Sequence, residues 1–251
     1  MINQLNILWE TKIPRDLYAK IYSPWRRINF EAELLQEIFS RHGAKKLVEF
    51  GCGLGRHGYS LWKRGFDVLL TDVRDWRYGV AKKLPFKIYD VLSGGFLGEF
   101  DGGYAINFMI LLEPSDMLRA LINIKKNLRR DGVFVFDYNF KAYEEPAELV
   151  ISHRGERYRV LLRDNRYIDL GDHWVYRYRI EVLNGNKLIG FEEASYPIYP
   201  REVVEDVISR AGFEISERIY LEWDPVKYMY RYGSSKDLDS ILYVLKSSRR
   251  D

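Results

Sequence analysis

The sequence predicts an α/β fold: a doubly wound, mostly parallel sheet of seven strands, with an antiparallel β insert after the fifth. Three observations predict it. Short apolar runs alternate with helical patterns through the first half, as strands feeding crossover helices do. From about residue 150 to 198 the pattern switches to period-two alternation without helices. The chain then closes on "EISERIYLEW" and "DSILYVLKSS", two strand-like runs that read as an antiparallel pair.

The elements follow in order. "RDLYAKIYSPWRRINFEAELLQEIFSRHG" reads as helical pieces, with Phe30, Leu34, Leu35, Ile38 and Phe39 on one stripe and a stop near Gly43. "KKLVEF" is the first strand. "RHGYSLWKRG" is a helix ending at Gly65, and "FDVLLTD" the second strand, ending on Asp72. Only a turn or two of helix fits between Asp72 and "FKIYDV", the third strand. "DGGYAINF" is the fourth. "EPSDMLRALINIKKNLRRDG" is amphipathic, with Ser115 as its cap and Gly132 just beyond its end. "VFVFDYN" is the fifth strand. In the insert, "ERYRVLLRD", "HWVYRYRIEV" and "KLIGFEEASY" are strands, the last two joined by an Asn184-Gly185 hairpin turn. "YPREVVEDVISRAGF" returns to helix, with Pro200 near its start.

Bulk properties narrow the function. The chain has 251 residues, 47% hydrophobic and 30% charged, which suits one globular domain spanning 1–251. Lys and Arg number 39 against 36 Asp and Glu, so a formal charge of +3 gives no polycationic signature for nucleic acid. The single cysteine, Cys52, excludes internal disulfides and fits a reducing cytoplasm. The longest apolar run, Tyr104 to Leu112, is too short for a membrane span, and the N-terminus lacks signal-peptide features. Abundant Lys, Arg, Glu and Tyr with scarce glutamine point toward a thermophile. No His or Cys spacing suits a metal.

The chemistry concentrates in "LVEFGCGLGRHGYSL". Gly53, Gly55 and Gly58 spell G-x-G-x-x-G, the dinucleotide fingerprint, which would imply an NAD enzyme. Glu49, Gly51, Gly53 and Gly55 spell E-x-G-x-G-x-G. Both frames use glycines for a tight turn and a helix N-terminus that offers amides to a ligand. In a dinucleotide fold the first glycine follows the strand directly and the third lies five residues on. Gly51 follows the strand, but Arg56 stands five residues later. The second frame needs no slip, and it puts a carboxylate, Glu49, where a charged amino group could be held. S-adenosylmethionine has such a group; a nicotinamide cofactor has none near its pyrophosphate.

On these residues the chain, from about Glu31 to Lys246, resembles the class I S-adenosylmethionine-dependent methyltransferases, whose sheet is Rossmann-like. "LRRDGVFVFDYN" resembles that family's glycine turn and fifth strand, with Asp131 in place of the first glycine. The closing strand pair resembles its C-terminal hairpin. The resemblance implies S-adenosylmethionine as cofactor and S-adenosylhomocysteine as product. It implies that Glu49, Gly51, Gly53 and Gly55 hold the methionyl end, that Asp72 with Val73 holds the ribose, and that Asp90 and Val91 flank adenine. Asn107 and Phe108 would face the cofactor or substrate.

Other residues are candidates with bland alternatives. Tyr18, Tyr22 and Trp25 precede the first core helix. They belong to a helical lid over about residues 1–43 or simply pack on the sheet. His57 touches substrate or lies on a helix surface. Tyr138 ends the fifth strand, at the edge where ligands sit. Trp76 supplies wall area that the short segment before Asp90 lacks, or is core, the commoner role of a lone Trp beside a strand. Cys52 reads as a small turn residue. Arg157, Arg159, Arg163, Arg177 and Arg179, interleaved with tyrosines, either pair with Glu181, Glu192 and Glu193 across strands or grip RNA. The expectation is methyl transfer to a small-molecule N or O acceptor, with the insert, about 150–198, covering the pocket or forming a homodimer contact. The alternatives are an RNA methyltransferase and a non-catalytic scaffold. No catalytic base is identifiable.

Overall fold

The computed structural model describes residues 8–141, 148–224, 229–234 and 239–247. It contains two sheets. The strands of the larger are β2 (Lys46–Phe50), β3 (Asp67–Asp72), β4 (Phe86–Ile88), β5 (Phe100–Ala105), β6 (Leu128–Asn139), β11 (Phe213–Asp224), β12 (Met229–Tyr232) and β13 (Ser240–Ser247). Their spatial order is β12-β11-β13-β6-β5-β2-β3-β4. The five strands from β6 to β4 run parallel, while β13, β11 and β12 are joined antiparallel. The sheet thus has eight strands, one more than expected. The extra strand, β12, pairs through only four residues at the edge of β11.

Helices α2 (Trp25–Arg41) and α3 (Arg56–Lys63) cover one face; α4 (Pro114–Lys125) and α5 (Arg201–Arg210) cover the other. Alternation along the strands feeds both cores. Leu47, Val133 and Val135 pack with Leu35, Ile38 and Phe39 of α2. Val48, Phe134 and Phe136 pack with Leu121 of α4 and Val207 of α5. Sheets buried on both faces need such continuous apolar runs, which is why the strands were legible.

Two boundaries depart from expectation. Glu113, not Ser115, is the residue before the first turn of α4, and it makes no side-chain cap bond; Pro114, with no amide hydrogen to satisfy, opens the helix. That helix stops at Lys125, and β6 is already paired at Leu128, so "LRRDG" is strand with a bulge, not helix.

The smaller sheet is antiparallel throughout. It comprises β1 (Leu8–Thr11), β7 (Glu148–His153), β8 (Glu156–Asp169), β9 (Trp174–Asn184) and β10 (Lys187–Ile198), in the order β1-β10-β9-β8-β7. The three expected insert strands are β8, β9 and β10; the hairpin between the last two turns one position later than expected, at Gly185 and Asn186, with Asn184 still in strand opposite Lys187 and Gly185 taking the positive φ of 57°. The N-terminal segment is not wholly helical: β1 adds to the edge of this sheet before α1 (Arg15–Ile21) begins. Leu17 and Ile21 of α1 share a third core with Tyr158, Val160, Ile180 and Val182. Residues 1–7 of the expected lid lie outside the described residues.

Candidate functional site

The glycine turn leaves β2 with Gly51, Gly53 and Gly55 all at positive φ (67°, 49° and 70°), a region costly for other residues. A Cβ on Gly51 would come within 2.6 Å of the Phe108 ring. The Gly53 amide donates to Asp72 Oδ2 at 2.9 Å, which clasps the turn to the end of β3. Gly58 plays another part. It sits inside α3, where a Cβ would lie 2.2 Å from Leu70 Cδ2 and 2.8 Å from Glu49 Oε2. It is a close-packing glycine, a role that the third glycine of a dinucleotide fingerprint also has, so the choice of frame rests on Gly51 following β2 directly and not on Gly58. Gly58→Ala is expected to destabilise the fold by about 1–3 kcal/mol through overpacking. Urea unfolding measures this, and an unchanged midpoint would refute the packing role.

Behind the turn lies a buried charge cluster. Glu49 Oε2 accepts from the Gly58 amide (3.1 Å) and the Tyr104 hydroxyl (3.1 Å), and its Oε1 lies 3.8 Å from His57 Nδ1. Burial pushes the Glu49 carboxyl up to about 7, against the pull of His57 and of these hydrogen bonds. His57 Nε2 meets Glu31 Oε2 at 2.6 Å, and Arg27 Nε donates to Glu31 Oε1 at 2.7 Å. Burial would lower the His57 pKa, but Glu31 and Glu49 prevail and raise it. Glu31 is itself held below its usual range: the charges of Arg27 and His57 outweigh burial. His57 is therefore a buried member of a charge network, not a helix-surface histidine.

Glu49, His57 and Arg27 of this cluster border a cavity of about 630 Å³ at the carboxyl edge of the parallel strands. It gathers Glu49, Gly51, Gly53, Gly55 and His57 from the turn, Asp72 and Val73 from β3, Asp90 and Val91 after β4, and Asn107 and Phe108 after β5. Asp90 has its carboxylate engaged by the Leu92 amide (2.9 Å) and the Ser93 hydroxyl (2.5 Å), and the Ser93 bond lowers its pKa despite some burial. Asn107 adopts a φ of 54°, and its amide donates to the buried Asp137 at 2.6 Å. Burial raises the Asp137 carboxyl to about 6.

Tyr18 and Tyr22 of α1 also line the cavity, their rings 4.6 Å apart. Arg56 fastens this segment to the turn, donating to the carbonyls of Ala19 (2.8 Å) and Ser23. Two expected pocket residues are elsewhere. Trp25 lies outside the cavity, half exposed against Tyr59 with the Arg56 guanidinium over its ring. Tyr138 is fully buried, its hydroxyl accepting from the Tyr199 amide at 3.1 Å. Its side chain follows Phe134 and Phe136 onto the α4–α5 face. Trp76 is the reverse case: it is cavity wall, 5.3 Å from Trp9, with Arg74 and Arg15 stacked over it.

The smaller sheet roofs the cavity with Tyr176, Tyr178 and Ile180 of β9 and Glu192, Ala194 and Tyr196 of β10. None of these was singled out as a pocket residue from sequence, yet period two along "FEEASY" carries the signal: Glu192, Ala194 and Tyr196 share a face. The expectation that Glu192 pairs with an arginine fails, because only Glu193 faces outward. There Arg179 meets Glu193 and Glu181, Arg163 meets Glu181 at 3.1 Å, and Arg159 meets Glu148 at 2.6 Å. Arg157, Arg159 and Arg177 are exposed while Tyr158 and Tyr176 are buried, so these arginines and tyrosines do not share a face as RNA stacking would need. Cys52 is buried, which pushes its thiol pKa far up and rules out a ready nucleophile. Among the described residues no group of three or more His, Cys, Asp or Glu is gathered as a metal would require, and no helix is long and apolar enough to cross a membrane.

No family model and no curated protein sequence matches the chain. Solved structures do. A S-adenosylmethionine-dependent methyltransferase from Clostridium acetobutylicum matches with a TM-score of 0.71 at 16% identity, covering 93% of this chain and 99% of its own. CalS10, an amino pentose methyltransferase from Micromonospora echinaspora with S-adenosylmethionine bound, matches with a TM-score of 0.70 at 15% identity, over 93% and 97%. The sugar N-methyltransferase KedS8 from a Streptoalloteichus species matches with a TM-score of 0.69 at 18% identity, over 97% and 94%. At these identities the likeness establishes architecture, and the chain has, along nearly its whole length, the fold of the S-adenosylmethionine-dependent methyltransferases.

Proposed function

We propose that this protein transfers the methyl group of S-adenosylmethionine to a nitrogen or oxygen of a small molecule held beneath the antiparallel roof. The observation that carries the reading is one cavity shared by the two sheets. One side is the glycine turn with two carboxylates, Glu49 and Asp72; the other is a ring-lined sheet. The residues fit the cofactor. Glu49 presents a buried carboxyl for a methionyl ammonium. The turn has three glycines at positive φ, two of which have no room for a side chain. Asp72 uses one oxygen to clasp Gly53 and leaves the other for ribose hydroxyls. The Asp90 turn holds Val91 in the wall, where an adenine face would pack.

When bound, S-adenosylmethionine supplies a methyl group already activated by its sulfonium. The protein's work is then to position the acceptor in line and to exclude water. The roof and the α1 tyrosines do both, with Arg56 fastening α1 over the turn. The similar structures include enzymes that act on an amino pentose and on sugar nitrogen, which supports a small-molecule acceptor.

Asp72→Ala removes the ribose acceptor and the clasp on Gly53, and is expected to weaken S-adenosylhomocysteine binding by about tenfold or more. Titration calorimetry reads this. A thermal-shift comparison tests the whole proposal: S-adenosylhomocysteine should stabilise the protein and NADH should not. The opposite pattern would return the turn to the dinucleotide frame.

A further inference from the structure

We propose that Glu192 is the acceptor-binding carboxylate, and that it selects an amine, held as its ammonium, and takes the proton that the amine must lose before methylation. The proposal rests on the methyltransferase reading and names the substrate class of the same cavity.

Glu192 lies on the cavity face of β10 and is 1% exposed. Its Oε1 accepts from the Tyr178 hydroxyl at 2.7 Å. Its Oε2 is buried without a hydrogen-bond partner at normal geometry, although Tyr22, Trp9 and Thr11 surround it. Among the described residues no cation is bridged to it, whereas its neighbour Glu193 is matched to Arg179. A buried carboxylate with no countercharge is costly, so folds rarely keep one without a cation to receive. Besides the Thr11 hydroxyl, the groups around it are rings: Tyr178 and Tyr196 of the roof, Tyr18 of α1, Tyr22 at its end, and Trp9 of β1. Of the nearby cations, Arg74 also lines the cavity, and it and Arg15 are stacked on the Trp9 and Trp76 rings, with no ion pair to Glu192. Ring faces around one carboxylate suit an ammonium by cation–π attraction and a charge-assisted hydrogen bond. A neutral hydroxyl gains no cation–π attraction, and its hydrogen bond to the carboxylate carries one charge instead of two.

The same carboxylate solves a chemical problem. An ammonium has no lone pair with which to attack. Burial holds the Glu192 carboxyl near 7, above the ordinary carboxylate range, so it can accept a proton from a bound ammonium. The proton passes from nitrogen to Oε2. The freed pair forms the new N–C bond, the S–C bond breaks with its electrons kept on sulfur, and Glu192 later returns the proton to water. The nitrogen leaves with one methyl more and its positive charge restored.

The test compares benzylamine with benzyl alcohol, a pair that differs in the group the carboxylate would read. Binding is measured by titration calorimetry on the full chain, with and without S-adenosylhomocysteine. The amine should bind about tenfold or more tighter than the alcohol. Its affinity should rise between about pH 6 and pH 8 as the carboxyl ionises. Glu192→Gln keeps an acceptor for the Tyr178 hydroxyl. It should bring the amine down to the level of the alcohol and leave alcohol and S-adenosylhomocysteine binding unchanged. Equal affinity for the two probes, binding of neither, or an unaffected Glu192→Gln variant overturns the proposal. So does a variant that loses S-adenosylmethionine but not S-adenosylhomocysteine, since the carboxylate would then face the sulfonium. If S-adenosylhomocysteine does not bind at all, the methyltransferase reading falls, while the amine–alcohol comparison on the free protein still decides what Glu192 holds.

Discussion

Arg27→Ala is expected to destabilise the protein by about 3 kcal/mol, the lower end for breaking a buried ion pair. Arg27 and Glu31 are each 5% exposed, one helical turn apart on α2, and joined at 2.7 Å. Removing the guanidinium leaves the Glu31 carboxylate in the interior with only His57 as partner. It also strips cation–π contacts from Trp223 and Tyr230, at 5.2 and 5.3 Å, which tie α2 to β11 and β12. For a chain of this size the loss corresponds to roughly 6–12 °C in Tm. A double-mutant cycle checks the cause. Adding Glu31→Gln removes the stranded charge, so Arg27→Ala/Glu31→Gln should be more stable than Arg27→Ala alone. If the second substitution only adds its own loss, Arg27 acts through packing and not through charge.

This pair also shows what a sequence conceals. The stripe of α2 was legible because Phe30, Leu34, Leu35, Ile38 and Phe39 recur at helical spacing, and the structure buries all but Phe30, which is half-buried. Arg27 and Glu31 lie at the same spacing yet give no signal of burial, because nothing local reveals that a C-terminal hairpin packs over them. The glycine turn was legible for the opposite reason: its chemistry is local, and strand, glycines and Asp72 lie within one βαβ unit. Strand β1 was missed because four residues carry no periodicity, and its partner β10 lies about 180 positions on. Tyr138 was misplaced by ranking its position at the strand end above its alternation with Phe134 and Phe136. The same period-two rule would have turned Glu192 inward and Glu193 outward. Trp25 was misplaced because proximity in sequence to Tyr18 and Tyr22 says nothing about which way a new helix faces.

Glu49→Gln is expected to strengthen the fold and to cripple the site. In the unfolded chain this carboxyl titrates near 4.5, and in the folded protein burial holds its proton up to about 7. Between those values the folded state keeps a proton that the unfolded state has lost. Stability therefore falls as pH rises through this window, and the penalty is complete above it. Glutamine carries no such penalty and can still accept from the Gly58 amide and the Tyr104 hydroxyl. The variant should thus be more stable than the parent at about pH 8, by on the order of 1–3 kcal/mol, and no more stable below about pH 4.5. Its affinity for S-adenosylhomocysteine should drop by about tenfold or more, since the ammonium loses its counterion. In the parent, binding should release a proton just below pH 7, because the ligand's ammonium favours the ionised carboxylate; calorimetry in buffers of different ionisation heat detects it. Such an exchange of stability for binding is what a site built from a buried carboxylate, only partly offset by His57, entails. If Glu49→Gln instead leaves both affinity and alkaline stability unchanged, Glu49 is an anchor for α3 alone, and the methionyl end of the cofactor must be sought elsewhere in the cavity.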